Sequence, residues 1–195
     1  MSLGRAGTRL DSKWDPPEPI ASLNTELGAF RLVNSYGLFA DMTEERPEIF
    51  IEGSHDGKTW QRYDFAYKPD GVEDPSIFVM PGHMPRLDWQ LWFAALGANR
   101  ALKHPQGRPC QGWIQRLLRR LLRGSSALSA RMYHDPFEAR PPKYIRTMLV
   151  KLEFASPEQR EATGAWWVKR GQPRVVCPVV TLVRGRLRVA RGIKP

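Results

Sequence analysis

Cysteine is nearly absent from this 195-residue chain, which has only Cys110 and Cys177. No CxxC or Cys/His spacing therefore exists from which to build a zinc site or a redox dithiol. One long-range disulfide is geometrically open to the pair, but a two-cysteine chain without a signal sequence is usually reduced, so both read as free thiols. No apolar run approaches the roughly 18 residues that span a bilayer, and the N-terminal segment lacks a signal-peptide apolar stretch. By itself the chain reads as neither membrane-spanning nor secreted. There is no Asn-x-Ser/Thr sequon, and no GxSxG elbow, HExxH pair, P-loop, GxGxxG fingerprint or EF-hand loop. The sequence thus points away from an enzyme and names no catalytic residue, cofactor or metal.

What is present is an ordinary globular composition, 42% hydrophobic and 26% charged, in a chain long enough to bury about 70% of its unfolded surface without staples. The net charge of +10 is unevenly placed. Residues 100–123 and 170–195 each carry seven Lys or Arg and no acid, whereas residues 41–88 hold eleven acids against five bases. Such asymmetry suits an anionic partner, or simply a solvated helix face.

Residues 1–22 read as a flexible lead-in, and the stretch from Phe30 to Met42 as a strand and turn. Ile49-Phe50-Ile51, then Asp56-Gly57, then Trp60 to Phe65, reads as a hairpin whose turn uses the positive φ that Asp-Gly supplies. Ser54, His55 and Asp56 are contiguous and cannot converge as a triad must. Residues 66–87 read as a long Pro-rich loop, the kind that in a compact domain tends to be functional. Asp88 stands where a helix N-cap would, and Gly97 where the helix would end. The intervening residues are apolar nearly all round, which places Trp89 and Trp92 in the core. His83, Arg86 and Asp88 are near neighbours, with Arg86 and Asp88 read as an ion pair locking the loop to the helix.

Trp113, Ile114, Leu117, Leu118, Leu121 and Leu122 form one apolar stripe at helical period, with Arg116, Arg119, Arg120 and Arg123 on the other face and Gly124 closing the helix. A short helix is expected over 126–133, a strand over Tyr144 to Phe154, another around Trp166-Trp167-Val168, and over 170–195 a basic strand pair or tail.

The segments Arg46-Pro47-Glu48-Ile49 and Glu52-Gly53-Ser54, and above all Pro85-Arg86-Leu87-Asp88-Trp89-Gln90-Leu91-Trp92, resemble the C-terminal domain of the lipase maturation factor family. Tyr67-Lys68-Pro69, Asp135-Pro136-Phe137, Pro141-Pro142-Lys143-Tyr144 and Gly164-Ala165-Trp166-Trp167 continue the likeness in the family's order. The resemblance implies a domain at residues 23–169, with a helical insert over about 88–133. It also implies a non-enzymatic folding or assembly factor that binds immature secreted lipases. The family's setting is the lumenal side of the endoplasmic reticulum membrane, with membrane attachment in bacterial relatives. The hairpin is also similar to discoidin-type modules, so the expected fold is α+β, an antiparallel β-sandwich of discoidin or jelly-roll kind with inserted helices. Candidate partner-binding residues are Tyr67, Phe78, Met80, His83, Arg86 and Trp89. The alternative function is electrostatic binding to an anionic membrane or nucleic acid through residues 113–123 and the basic tail.

Overall fold

The computed structural model describes residues 17–19, 45–75, 84–110 and 112–193, and the chain divides into two units, Met1–Thr43 and Glu44–Pro195. The account below concerns the second unit. The strand expected between Phe30 and Met42 lies outside the described residues, as do the lead-in apart from 17–19 and the central part of the long loop.

Seven strands and four helices follow one another in this unit: β1 (Arg46–Ser54), β2 (Gln61–Arg62), β3 (Asp64–Phe65), α1 (Arg86–Ala101), α2 (Gly112–Leu121), α3 (Ser126–Ser129), β4 (Met132–His134), β5 (Tyr144–Phe154), α4 (Pro157–Thr163), β6 (Trp167–Val183) and β7 (Arg186–Val189). An antiparallel sheet runs in the order β2-β1-β5-β6-β7, and β3 pairs with β4 in a separate ribbon.

Alternation along the two central strands sorts their side chains onto two faces. Ile49 lies opposite Leu149, Ile51 opposite Thr147 and Gly53 opposite Ile145. This face packs against Leu91, Ala94, Ala95 and Ala98 of α1 and Ile114, Leu117, Leu118 and Leu121 of α2 in one core. Phe50, Val150, Leu152 and Trp167 form a second, smaller cluster on the other face. Gly53 is required where it stands: a Cβ there would come within 2.5 Å of the Phe137 ring, which is buried against the strand.

The α+β class, the antiparallel sheet and the inserted helices are therefore present. A second sheet facing the first, as a discoidin-like sandwich needs, is not found among the described residues. The apolar stripes of α1 and α2 cover the sheet instead, since a sheet face needs only one apolar partner layer.

Several local expectations are corrected. The helix expected from Asp88 to about Gly97 begins at Arg86, with Pro85 in the cap position, and runs through Gly97 to Ala101. Its buried stripe is Asp88, Leu91, Ala94, Ala95 and Ala98, where alanines let the helix lie close to β1. Trp89 and Trp92 fall on the flank of that stripe and are only half-buried, not core. The second helix is as its periodicity requires, apolar side inward and arginines outward. Residues 126–133 split into the single turn α3 and strand β4. Helix α4 escaped the periodicity argument because it has no buried residue. Its signal is the Ser156-Pro157-Glu158-Gln159 capping box, with left-handed Gly164 closing it.

β5 spans Tyr144–Phe154, as its alternation predicts. β6 and β7 form a hairpin in which Val183 pairs with Arg186, turning through Arg184 (φ 49°) and Gly185 (φ 73°); two successive positive φ values match the right-handed strand twist. The free-thiol reading of the cysteines is overturned, because Cys110 and Cys177 form a disulfide with Cα atoms 4.9 Å apart. Packing of α1 and α2 on the sheet carries the loop after α1 over β6, a proximity that sequence spacing could not reveal.

Candidate functional site

Two regions combine unusual chemistry with accessible volume, and the segment from Ala66 to Pro75 joins them. At its start the Tyr67 backbone N–H donates to Asp88 Oδ1 at 2.9 Å. Asp88 is 1% exposed, so this bond ties the loop to the third position of α1, and no Arg86–Asp88 ion pair forms. Burial raises the Asp88 pKa, opposed by the Tyr67 N–H.

One residue further on, Lys68 is buried to 3% exposure, an unusual state for a cation. Its ammonium pairs with Asp70 and lies 4.0 Å from Glu48 Oε2. It also sits 5.4 Å from the centroids of both Phe50 and Phe65, within range of their negative ring faces. Glu48 is fully buried, accepts from Arg46 Nε at 2.7 Å, and leaves Oε2 with no hydrogen-bond partner. Asp70 accepts from Phe65 N as well as from Lys68. Burial nonetheless dominates and pushes its pKa up to about 6.

The same sheet face carries Glu52, clamped between Arg62 Nη2 (2.9 Å) and Arg146 Nε (2.7 Å). Burial alone would raise its pKa, but the two arginine hydrogen bonds and charges outweigh that and lower it. Arg62 covers Phe50 at 4.1 Å and Arg146 covers Trp60 at 4.4 Å. Farther along the loop, Val72 O accepts from Trp166 N and Trp167 N, and Asp74 O from Trp167 Nε1. The loop is thus strapped to the sheet by polar bonds, and beside it opens a cleft of 510 Å³ lined by Arg62, Asp64, Lys68, Asp70, Asp74 and Tyr133 among others.

The second region is a cleft of 430 Å³ between α1 and α2, lined by Arg86, Trp89, Gln90, Phe93, Ala94 and Trp113. Trp89, Trp92 and Phe93 form an aromatic cluster with ring centroids 5.1–5.5 Å apart. Phe93 is 45% exposed. Chemically this is an apolar, aromatic depression with one guanidinium at its edge, suited to an apolar segment rather than to bond-making.

Of the residues singled out from sequence, Tyr67, Arg86 and Trp89 are thus placed at the start of α1, whereas Phe78, Met80 and His83 lie outside the described residues. Arg116, Arg119 and Arg120 are exposed on α2, and Arg123 is exposed in the turn that follows it. His55 lies edge-on to Phe137 at 5.3 Å, while Ser54 donates to Asp56, so these three make no triad. The Lys68–Asp70–Glu48 cluster was missed. Its one sequence signal is Glu48-Phe50-Glu52 at period 2, which places two acids and an aromatic ring on one strand face. Among the described residues no group of three His, Cys, Asp or Glu could hold a metal ion, and no helix is long and apolar enough to cross a membrane.

The fold thus joins an aromatic cleft between two helices to a charge-locked sheet, and comparison with known proteins gives it a family. Residues 32–177 match the family model described as the lipase maturation factor C-terminal domain, and the chain belongs to that family. It is 40% identical to lipase maturation factor 2 of Xenopus tropicalis over 148 residues, covering 72% of this chain and 20% of that protein. The human lipase maturation factor 2 is 39% identical over 143 residues, 70% of this chain and 18% of that protein. Mouse lipase maturation factor 1 is 34% identical over 156 residues, 76% of this chain and 25% of that protein. The chain thus spans about a fifth to a quarter of the length of these relatives. No solved structure matches.

Proposed function

We propose that this domain is a non-enzymatic folding or assembly factor that binds immature lipases and assists their maturation, on the lumenal side of the endoplasmic reticulum membrane. Family membership supports the client class. The observation that carries the binding role is the cleft between α1 and α2, where Trp89 and Phe93 offer rigid aromatic area beside Arg86. Aromatic and arginine side chains dominate interface energetics, and a partly folded lipase exposes the apolar segments that such a cleft takes. Tyr67, tied to Asp88 at the helix start, belongs to the same binding surface. Phe78, Met80 and His83, outside the described residues, are proposed as further client-binding residues on sequence grounds. The Cys110–Cys177 disulfide supports an oxidising compartment.

The test is co-purification with a defined dimeric lipase during its refolding, at low and high salt, for the parent chain and a Trp89→Ala/Phe93→Ala variant. Salt-resistant capture by the parent that falls at least tenfold in the variant is the expected result, matching loss of two anchors worth about 1 kcal/mol or more each. Retention no greater than that of a control domain, or equal capture by a variant with an unchanged unfolding midpoint, would refute the proposal.

A further inference from the structure

The two acid-free basic segments, 100–123 and 170–195, are distant in sequence, yet three links hold them side by side. Cys110 is bonded to Cys177. Arg174 donates to the Leu102 carbonyl. Arg123 Nη2 donates to the Gly185 carbonyl at 3.0 Å, which seats its guanidinium at the β6–β7 turn between Arg184 and Arg186. Beneath them Leu117, Leu118, Leu121 and Leu122 share one core with Val176, Val180, Leu182 and Leu187. The apolar side of α2 is therefore spent on the fold, and its arginines are what remains outside.

Arg116, Arg119 and Arg120 on α2 and Arg123 in the turn that closes it follow at i, i+3, i+4 and i+7, a strip of about 10 Å. The strip meets exposed Arg184 at the hairpin tip, whereas the register sets Arg186 and Arg188, with Val183, on the sheet face away from α2. None of these cations has an ion-pair partner among the described residues, whereas Arg46, Arg62, Lys68, Arg146, Lys151 and Arg170 all do. The same hairpin also exposes Val183 and Val189, at 51% and 57%, on opposite faces, with Val189 on the side of Leu187 that packs toward α2. They are the two exposed large aliphatic side chains among the described residues. Exposed aromatic rings, at Tyr67, Phe93, Tyr133 and Phe154, lie on other elements.

We propose that the α2 arginines and the β6–β7 hairpin together form a docking surface for an anionic phospholipid bilayer. Guanidinium groups take lipid phosphates, and Val189, on the α2 side of the hairpin, enters the boundary between headgroups and acyl chains. Nucleic acid shares the phosphate chemistry, but single strands are held by aromatic stacking, and this surface has no exposed ring. The surface is independent of the α1–α2 cleft and does not rest on the lipase reading.

The experiment is co-sedimentation of the chain with phosphatidylcholine vesicles, with and without phosphatidylserine, in the presence or absence of duplex DNA or polyglutamate as competitor. Binding to the phosphatidylserine vesicles alone is expected, weakening as salt shortens the screening length. At about fivefold per cation, Arg116→Gln/Arg119→Gln/Arg120→Gln lowers partitioning on the order of 100-fold. These three side chains make no hydrogen bond or ion pair within the described fold, and an unchanged unfolding midpoint verifies that the variant folds. Val189→Ser removes the part of the binding that resists salt, whereas Val183→Ser, on the opposite face, leaves it in place. Absence of vesicle binding, equal binding by the arginine variant, or capture by DNA or polyglutamate in preference to vesicles would overturn the proposal.

Discussion

Lys68→Met isolates the buried charge cluster. Methionine keeps an unbranched chain of similar length against Phe50 and Phe65 but deletes the ammonium, leaving Glu48 and Asp70 without their shared cation. Breaking a buried ion pair from one side costs about 3–5 kcal/mol, because the remaining charge stays desolvated. Here the loss has a ceiling. Asp70 already titrates at about 6, and without Lys68 it titrates higher still, so at pH 7 it takes up a proton at about 1.4 kcal/mol per unit of remaining gap. The gap at pH 7 is no more than about one unit, so the Asp70 share of the loss stops at about 1.4 kcal/mol, shrinking toward pH 5 as protonation becomes free. That is a measurable part of the 5–15 kcal/mol typical of a whole domain. Urea unfolding at both pH values measures it, and Lys68→Met/Asp70→Asn should recover more than half of the loss. A single variant within about 0.5 kcal/mol of the parent at both pH values would show that the cluster is not coupled as its geometry requires.

Four further outcomes follow from the same contacts. Asp88→Ala strands the Tyr67 N–H and should cost about 1–3 kcal/mol in chemical denaturation, whereas Asp88→Asn retains an acceptor and should cost clearly less; equal losses would contradict the assigned bond. Replacing Cys110 and Cys177 by alanine and serine opens a 67-residue separation, so loop entropy predicts a loss of about 4 kcal/mol, and an unchanged midpoint under reducing and oxidising conditions would refute the bridge. The folded state holds a proton on Asp70 that the unfolded chain releases above 3.8, so stability from this group is complete at low pH and falls as pH rises to about 6; stability from Glu52, whose pKa is lowered, is present above 4.5 and lost in acid. Asp70→Asn should remove the first trend and leave the second, and pH–midpoint profiles that superimpose would refute the assignment. Gly53→Ala should displace Phe137 and cost about 1–3 kcal/mol by thermal unfolding, so an unperturbed melting temperature would show that the ring moves freely.

Legibility from sequence followed the range of the interaction involved. β5 and α2 were readable because each pattern, alternation in one and a 3.6-residue stripe in the other, is complete within its own segment. α1 was readable in existence but not in extent. Gly97 is a C-cap signal only when nothing packs the following turn, and here Ala98 is buried in the core. The aromatic cleft was half visible: Arg86 and Trp89 stood out as candidates, and Phe93 follows Trp89 by one helical turn, but Trp113 joins them only because two helices lie side by side.

The sequence by itself determined the family, the antiparallel strands, the inward side of α2 and the segregation of basic from acidic segments, since these depend on order and local period. Tertiary structure alone decided that Lys68 is buried, that Cys110 meets Cys177 and that the two basic segments lie side by side. Each of those depends on a distance between residues that are remote along the chain or sit in an aperiodic loop. Such distances are set by how the helices pack on the sheet, and no local pattern encodes them.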